Sequence, residues 1–171
     1  MNANRKLQEL IAKRQIEDVA FRYCRAIDRC DEELLLTTFH DDAEVDMGLY
    51  VGLARQFSQF LMPYLRDNLI VAMHRLTNVL IEVNGNSAKV ESYMPGCAIG
   101  ETPAGLTDFP DVMRYLDEFE KRDGEWRISF RRLVMDWNAG FPATMSKSEF
   151  FSNMNWSRRD KQDLSYSLLS K

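Results

Sequence analysis

Two short turn sequences, each set between long runs of alternating apolar and polar residues, constrain the fold most strongly. The first is the Asn-Gly-Asn segment at 84–86, and the second is the Asp-Gly pair at 123–124. Such glycine-containing steps adopt the positive backbone torsions that tight hairpins require. They predict two successive hairpins with strands over Met73–Val83, Ser87–Met94, Asp111–Lys121 and Trp126–Trp137. The intervening segment, Pro95–Pro110, is rich in glycine and proline and is predicted to be a loop.

The front of the chain has the period of a helix instead. Apolar residues recur there at spacings of four, three and four, at Ile16, Ala20, Tyr23 and Ile27. This stripe is typical of one buried helical face. A second short helix is predicted over Asp31–Phe39, with Asp31 as its N-cap.

Between the helices and the hairpins, three further elements are predicted. Glu44–Tyr50 is a short strand candidate, and a third helix follows Gly52 and reaches Leu61. Pro63 is expected to bend or end that helix, because its ring clashes with the preceding turn. This order of elements predicts an α+β fold, a curved antiparallel sheet wrapped around N-terminal helices. We expect one domain over 1–171, with a core of about 10–138 and a tail, 139–171, that packs on the domain or on a neighbour.

Composition and charge exclude several classes of function. The chain has 22 Lys and Arg against 26 Asp and Glu, a net charge of −4, which argues against a nucleic-acid-binding protein. The longest apolar run, Leu69–Met73, is far shorter than the roughly 20 residues of a membrane helix. The N-terminus lacks the apolar stretch of a secretory signal, and the three cysteines form no closely spaced pair. We therefore expect a cytoplasmic protein with reduced thiols and no membrane partner.

Histidine chemistry rests on two positions, because the chain contains only His40 and His74. His74 begins a predicted strand and shares a face with Leu76 and Leu80, where burial would favour a neutral imidazole able to act as a base. A hydrogen-bonded core histidine is the alternative. His40 is expected in a solvated polar loop. Neither histidine has a metal-ligating partner at typical spacing, so no metal is expected.

Four other polar side chains stand out by position. Asp28 ends an apolar helix, where a carboxylate opposes the helix dipole, so it is either a solvated turn residue or functional. Tyr23 precedes it by five residues and either borders the same pocket or packs in the core. Arg131 and Arg132 lie in a strand with large apolar residues on both faces. An arginine there needs a carboxylate, another anion or a ligand.

Together these segments resemble the SnoaL-like family of the nuclear-transport-factor-2-like superfamily. The resemblance rests on residues 22–28, 39–44, 74–78 and 115–128, in the expected order and spacing. It implies the cone-shaped, cystatin-like fold of that superfamily. It also implies roles for individual residues.

Within the superfamily, Asp28 and His74 resemble the pair of scytalone dehydratase, hexachlorocyclohexane dehydrochlorinase and bile-acid dehydratase, in which histidine is the base and aspartate its partner. Tyr23 is similar to the tyrosine of the bile-acid dehydratase type, and Arg131 to the strand arginine of the dehydrochlorinase type. The positions expected to line the substrate pocket are Leu76, Leu80, Tyr115 and Phe119.

The resemblance implies a cofactor-independent lyase, a dehydratase or dehydrohalogenase, acting on a small apolar alicyclic or polycyclic molecule such as a steroid. One alternative is an isomerase or cyclase of the ketosteroid-isomerase or polyketide-cyclase type, with a carboxylate base. Another is a ligand-binding or dioxygenase small-subunit-like protein whose pocket is plugged by side chains. No cofactor is expected. The relatives, and the apolar residues on both faces of the fourth strand, lead us to expect a homotrimer.

Overall fold

The structure is a computed structural model that describes residues 3–143, 155 and 157–168. The described residues include the helices α1 (Ala3–Arg29), α2 (Glu32–Leu36), α3 (Ala54–Asn68) and α4 (Ser165–Leu168). The strands are β1 (Phe39–Asp46), β2 (Val51–Leu53), β3 (Leu69–His74), β4 (Val79–Asn84), β5 (Ser87–Thr102), β6 (Gly105–Arg122), β7 (Glu125–Asn138) and β8 (Phe141–Pro142). None of the described helices is long and apolar enough to cross a membrane.

The strands form one sheet in the order β2-β1-β7-β6-β5-β3, with β4 also pairing with β5 and β8 with β6. All neighbours are antiparallel except β1 and β7, which are parallel, so the sheet is mixed rather than wholly antiparallel. Helix α1 buries its apolar stripe against the inner face of this curved sheet. The predicted α+β fold of the nuclear-transport-factor-2-like superfamily is confirmed.

The end of α1 is closed by its own backbone. Cys30 has a φ of 49°, and its N–H and that of Asp31 donate to the carbonyls of Ile27 and Ala26. This pattern is a Schellman motif, which satisfies the last carbonyls of a helix. Asp31 then caps α2, as predicted, by accepting from the Leu34 N–H at 3.1 Å. Helix α2 ends at Leu36 rather than Phe39, because Phe39 begins β1.

Both predicted turns are present, but the segment Pro95–Pro110 is not a loop. Strands β5 and β6 run through it as a long hairpin that turns at 103–104. Pro95 lies where β5 passes from its pairing with β4 to its pairing with β3, so its missing N–H falls at a junction. The glycines within the strands therefore do not mark a loop.

The predicted strand Met73–Val83 is two strands, because residues 75–78 interrupt the regular pairing with β5, although the N–H groups of Arg75 and Thr77 still donate to the carbonyls of Pro95 and Tyr93. The break changes which residues point inward. His74 precedes it on the inner face, whereas beyond it Val79, Ile81 and Val83 pack against the core. Leu80 consequently points outward and is 62% exposed, so its predicted place beside His74 is wrong.

Two predictions near the first strand also need correction. Strand β1 begins at Phe39, five residues earlier than predicted, because it pairs with β7. Helix α3 continues through Pro63 to Asn68. Burial of Phe57, Met62 and Leu65 on one face supports the helix on both sides of the proline, which tertiary packing can do.

A bulge in β7 explains why this strand is apolar on both faces. Phe119 pairs with Ile128, whereas Glu118 pairs with Phe130, so Ser129 is an extra residue. Even-numbered residues such as Ile128 therefore point inward before the bulge, and odd-numbered residues such as Arg131 point inward after it. A single core therefore accounts for the apolar residues on both faces of β7. These residues no longer argue for a subunit interface, and the homotrimer stays a prediction.

The described part of the tail packs on its own domain. Arg25 donates to Ser165 Oγ at 2.9 Å, and the Tyr166 hydroxyl donates to Asp31 Oδ2 at 2.7 Å. Arg159 also donates to the carbonyl of Ile27 at 3.2 Å. These contacts place α4 against the junction of α1 and α2, and the remainder of the predicted tail, 144–154, 156 and 169–171, lies outside the described residues.

Asp31 joins the helix cap to the tail, and two variants separate these roles. We expect Asp31→Ala to lower the free energy of unfolding by about 1–2 kcal/mol, since it removes an N-cap and a hydrogen-bond acceptor. Tyr166→Phe keeps the cap and should cost about 0.5–1.5 kcal/mol. Urea unfolding measures both; equal losses would show that the cap at Leu34 contributes nothing.

Candidate functional site

Asp28 and His74 lie in direct contact at the end of α1. Asp28 Oδ1 is 2.6 Å from His74 Nδ1, and both carboxylate oxygens accept from the His74 main-chain N–H at 3.1 Å. The side chains are 11% and 17% exposed, respectively. The last turn of α1 and the last residue of β3 thus meet at one carboxylate.

This contact assigns the proton positions on the imidazole ring. An ionised carboxylate only accepts hydrogen bonds, so Nδ1 of His74 is the donor and carries a proton. In the neutral ring Nε2 then has a free lone pair, and no group among the described residues hydrogen-bonds it. The arrangement is that of a base held in one tautomer by an acid partner.

A second polar cluster surrounds Arg131, which is fully buried. Its Nε and Nη2 each donate to Asp117 at 2.7 Å, in the bidentate geometry of a strong ion pair. The guanidinium carbon is 3.9 Å from the Tyr23 ring centroid and 4.0 Å from that of Tyr115. Arg131 is therefore a cation stacked between two aromatic faces, with its charge balanced by Asp117.

The electrostatics of this cluster keep the two tyrosines protonated and the arginine charged. Burial alone would lower the pKa of Arg131, but the Asp117 carboxylate outweighs it and holds the pKa above its ordinary value. Burial raises the pKa of Tyr23 and of Tyr115, although Arg131 opposes that rise. Their hydroxyls are thus proton donors rather than anions at neutral pH.

The Asp28–His74 contact and the Arg131 cluster lie at different positions along the strands of the sheet. His74 pairs with Gly96 and Gly96 with Asp111, whereas Arg131 pairs with Asp117. Asp111 and Asp117 are separated by about 20 Å of β6, at roughly 3.4 Å per residue. Tyr23 lies with Arg131 rather than with His74, since its ring also packs edge-on against Tyr115 and Phe39. The structure joins Asp28 with His74, and Tyr23 with Arg131, as two pairs.

The four predicted pocket residues are dispersed. Leu76 is partly buried and packs against the core, but Leu80 lines a groove of about 370 Å³ on the outer face of the sheet. Tyr115 and Phe119 are 2% and 0% exposed and are packed in the interior. His74 lines neither this groove nor a second concavity of about 230 Å³ between Arg66 and Lys161.

His40 is not the solvated loop residue that the sequence predicted. It lies on β1, is 9% exposed, and its Nε2 lies 2.9 Å from the carbonyl oxygen of Glu120. It is a hydrogen-bonded structural histidine, because β1 starts early enough to include it. Within 3–143, 155 and 157–168, no three His, Cys, Asp or Glu side chains are grouped as a metal ion would require.

Sequence reasoning missed both carboxylates of β6 that face inward. Counting from the turn at 123–124 places Asp117 opposite Phe130, and only the bulge at Ser129 brings Arg131 there. Asp111 was expected at the start of a strand after a loop, and the continuous hairpin instead places it opposite Gly96. The one available signal was the need of Arg131 for a carboxylate, which does not identify the partner.

With this geometry in view, comparisons with known proteins identify the family. The sequence matches the SnoaL-like domain family over residues 8–132, most of the chain. The protein therefore belongs to the SnoaL-like family. No curated protein matches the sequence significantly.

Solved structures share the fold. A Mycobacterium tuberculosis protein of unknown function is 27% identical with a TM-score of 0.62, over 75% of this chain and 74% of its own. A hexachlorocyclohexane dehydrochlorinase from Novosphingobium barchaimii is 21% identical with a TM-score of 0.69, over 81% and 96%. A protein provisionally assigned as a scytalone dehydratase from Novosphingobium aromaticivorans is 21% identical with a TM-score of 0.69, over 82% and 97%. Proteins named as dehydratases and dehydrochlorinases are thus among its structural neighbours.

The buried Arg131–Asp117 pair permits a sharp stability test. Asp117→Asn leaves the Arg131 charge buried without a counter-charge, which should cost about 3–5 kcal/mol. The control is Asp46→Asn, because Asp46 pairs at 2.9 Å with the adjacent, exposed Arg132 and should matter far less. Guanidinium unfolding compares the two, and similar losses would show that Asp117 does not neutralise a buried charge.

Proposed function

We propose that the protein is a cofactor-independent lyase that eliminates a leaving group from a small apolar cyclic molecule, with His74 as its base. The single observation that carries this proposal is the 2.6 Å contact of Asp28 Oδ1 with His74 Nδ1. It leaves Nε2 unprotonated in the neutral ring. Structural neighbours named as dehydratases and dehydrochlorinases support the same reaction class.

In the proposed reaction, Nε2 of His74 takes a proton from a carbon next to the one that bears the leaving group. The electron pair of that C–H bond becomes the new carbon–carbon double bond, and the leaving group departs with the electrons of its own bond. Asp28 holds the ring in orientation and stabilises the imidazolium that forms. No cofactor enters these steps.

Arg131 and Tyr23 would act at the inner end of the cone. Arg131 Nη1 is buried without a hydrogen-bond partner among the described residues, so it would donate to an oxygen or halide of a ligand only where the packed interior opens toward it. The Tyr23 hydroxyl stays protonated, because burial raises its pKa, and can also donate. Pairing with Asp117 means that Arg131 offers a directed hydrogen bond rather than a full free charge.

The apolar residues around the pair favour an apolar substrate. Met94 and Met113 are 0% and 9% exposed and lie on the inner face, two residues along their strands from Gly96 and Asp111, which are paired in line with His74. Leu76, on the segment after β3, is partly buried and packs against the core. Such surroundings favour ring carbons over charged groups and keep water from the reaction.

A second function, a non-catalytic subunit, is favoured by one observation. Tyr23, Tyr115, Phe119 and Arg131 are all at most 2% exposed, and these side chains fill the interior of the cone. A plug of this kind is what a ligand-free structural subunit would show. Thermal unfolding with apolar polycyclic ligands separates the two, because a ligand at about 100 times its Kd adds about 2.7 kcal/mol only if the interior opens.

The catalytic pair has a direct test with cyclic β-hydroxy ketones and hexachlorocyclohexanes, followed by enone absorbance and by chloride release. We expect His74→Ala to lower kcat by about 10²–10⁴-fold, since it removes the base. Asp28→Asn should cost nearly as much, because the amide does not enforce the tautomer. The double variant should be little worse than the worse single one.

The matched control is His40→Gln, which alters the other histidine but keeps a donor for the Glu120 carbonyl. It should retain wild-type kcat. Circular dichroism and size-exclusion chromatography establish that each variant is folded. A folded His74→Ala protein with unchanged kcat would contradict the proposed function.

A further inference from the structure

A row of directly paired residues crosses three strands beside His74. His74 on β3 pairs with Gly96 on β5, and Gly96 pairs with Asp111 on β6. Residues paired in this way project from the same face of a sheet. His74 and Asp111 therefore flank a position that has no side chain, on the inner face that also carries the buried Met94.

The Asp111 carboxyl occupies the space that Gly96 leaves open. A Cβ built on Gly96 would lie 2.6 Å from Asp111 Oδ1 and 3.2 Å from Met94 Sδ. Gly96 has no positive φ, so its backbone conformation does not require glycine. What requires glycine is the carboxyl group, which leans across β5 toward the strand of His74.

Asp111 Oδ1 is buried and has no hydrogen-bond partner among the described residues. An unpaired buried polar atom is costly, and in a native structure it needs an explanation, of which a catalytic role is one. Burial raises the pKa of Asp111, while His74 and the Gly96 N–H act in the opposite direction. The carboxyl group is thus electrostatically linked to the base, yet the Asp28–His74 contact does not use it.

We propose that Asp111 is a further catalytic residue, which receives a leaving hydroxyl group and gives it a proton. The inference rests on the proposed function and narrows its substrate class to alcohols, so the reaction is a dehydration. The supporting geometry is the shared row of His74, Gly96 and Asp111, with one carboxylate oxygen unpaired beside the base.

His74 and Asp111 together account for every proton that is transferred in this reaction. His74 Nε2 takes a proton from carbon, the protonated Asp111 gives one to the departing oxygen, and water leaves as the double bond forms. The imidazolium of His74 then returns its proton to the Asp111 carboxylate, directly or through that water. A chloride needs no proton to leave, so Asp111 would contribute little to its elimination.

The first test measures the interaction between His74 and Asp111 without substrate, by following the NMR chemical shifts of the His74 ring as the pH changes. Asp28 on α1 contacts the ring, and Cys97 on β5 interacts electrostatically with Asp28, Asp111, Arg75 and Asp108. We expect a second inflection in the His74 shifts, at a pH above the ordinary range of an aspartate, that disappears in Asp111→Asn. The control Asp108→Asn, three residues away on the opposite face of β6, should keep it.

The second test compares 3-hydroxycyclohexanone with 3-chlorocyclohexanone, which lose different groups to give the same enone. Asp111→Asn should lower kcat on the alcohol by about 10²-fold or more, and on the chloride by less than about 3-fold. Gly96→Ala should show the same selectivity, because its methyl group displaces the carboxyl. His74→Ala should lower both rates.

The outcomes separate the two proposals. Absence of the second inflection, or equal losses on both probes in folded Asp111→Asn and Gly96→Ala, overturns the role of Asp111 and leaves His74 as the base. Undiminished alcohol elimination in Asp111→Asn overturns it as well. A wild-type protein that eliminates neither probe overturns the proposed function, and the role of Asp111 with it.

Discussion

The carboxylate of Asp28 is the interaction on which the rest of the site depends. It lies in the last turn of α1, where the helix dipole disfavours a negative charge, so its position needs compensation. Two donors on His74 supply this compensation. The ring Nδ1–H donates to Oδ1, and the main-chain N–H is shared between both carboxylate oxygens. The same contacts join the helix to the end of β3, where the regular pairing with β5 is interrupted. The proposed catalytic pair therefore also connects α1 to β3, and the packing of α1 sets the orientation of the imidazole.

The sequence was sufficient where a local rule decides the structure. The stripe from Ile16 to Ile27 predicted α1, Asp31 predicted a cap, and the turns at 84–86 and 123–124 predicted two hairpins, all of which are present. It was insufficient where tertiary pairing overrides local preference. Glycines and prolines at 95–110 are typical of a loop, but pairing with β3 and β6 holds them in strands. Pro63 lies within α3 because one apolar face is buried on both sides of it.

The candidate site was predictable only in part. Asp28 and His74 were identified from an odd carboxylate, a scarce histidine and a family resemblance, and the structure places them 2.6 Å apart. Their catalytic role remains a proposal. Leu80 was misplaced because the break at 75–78 changes which residues point inward. The partner of Arg131 and the position of Asp111 depend on a bulge and on a hairpin, and neither has a signature in a single sequence.

The bulge at Ser129 also bears on how the length of this chain can change during evolution. Loss of one residue from a regularly paired part of β7 would turn the following side chains to the other face. Loss of Ser129 would instead remove the extra residue, and Arg131 would still lie opposite Asp117, as it does now. An insertion or deletion in β7 is therefore neutral to the interior only at its two register shifts, at Ser129 and at Asp136, and only the first of these precedes Arg131. Length differences between this protein and its homologues should gather there, and an alignment that places the gap elsewhere would misassign the arginine.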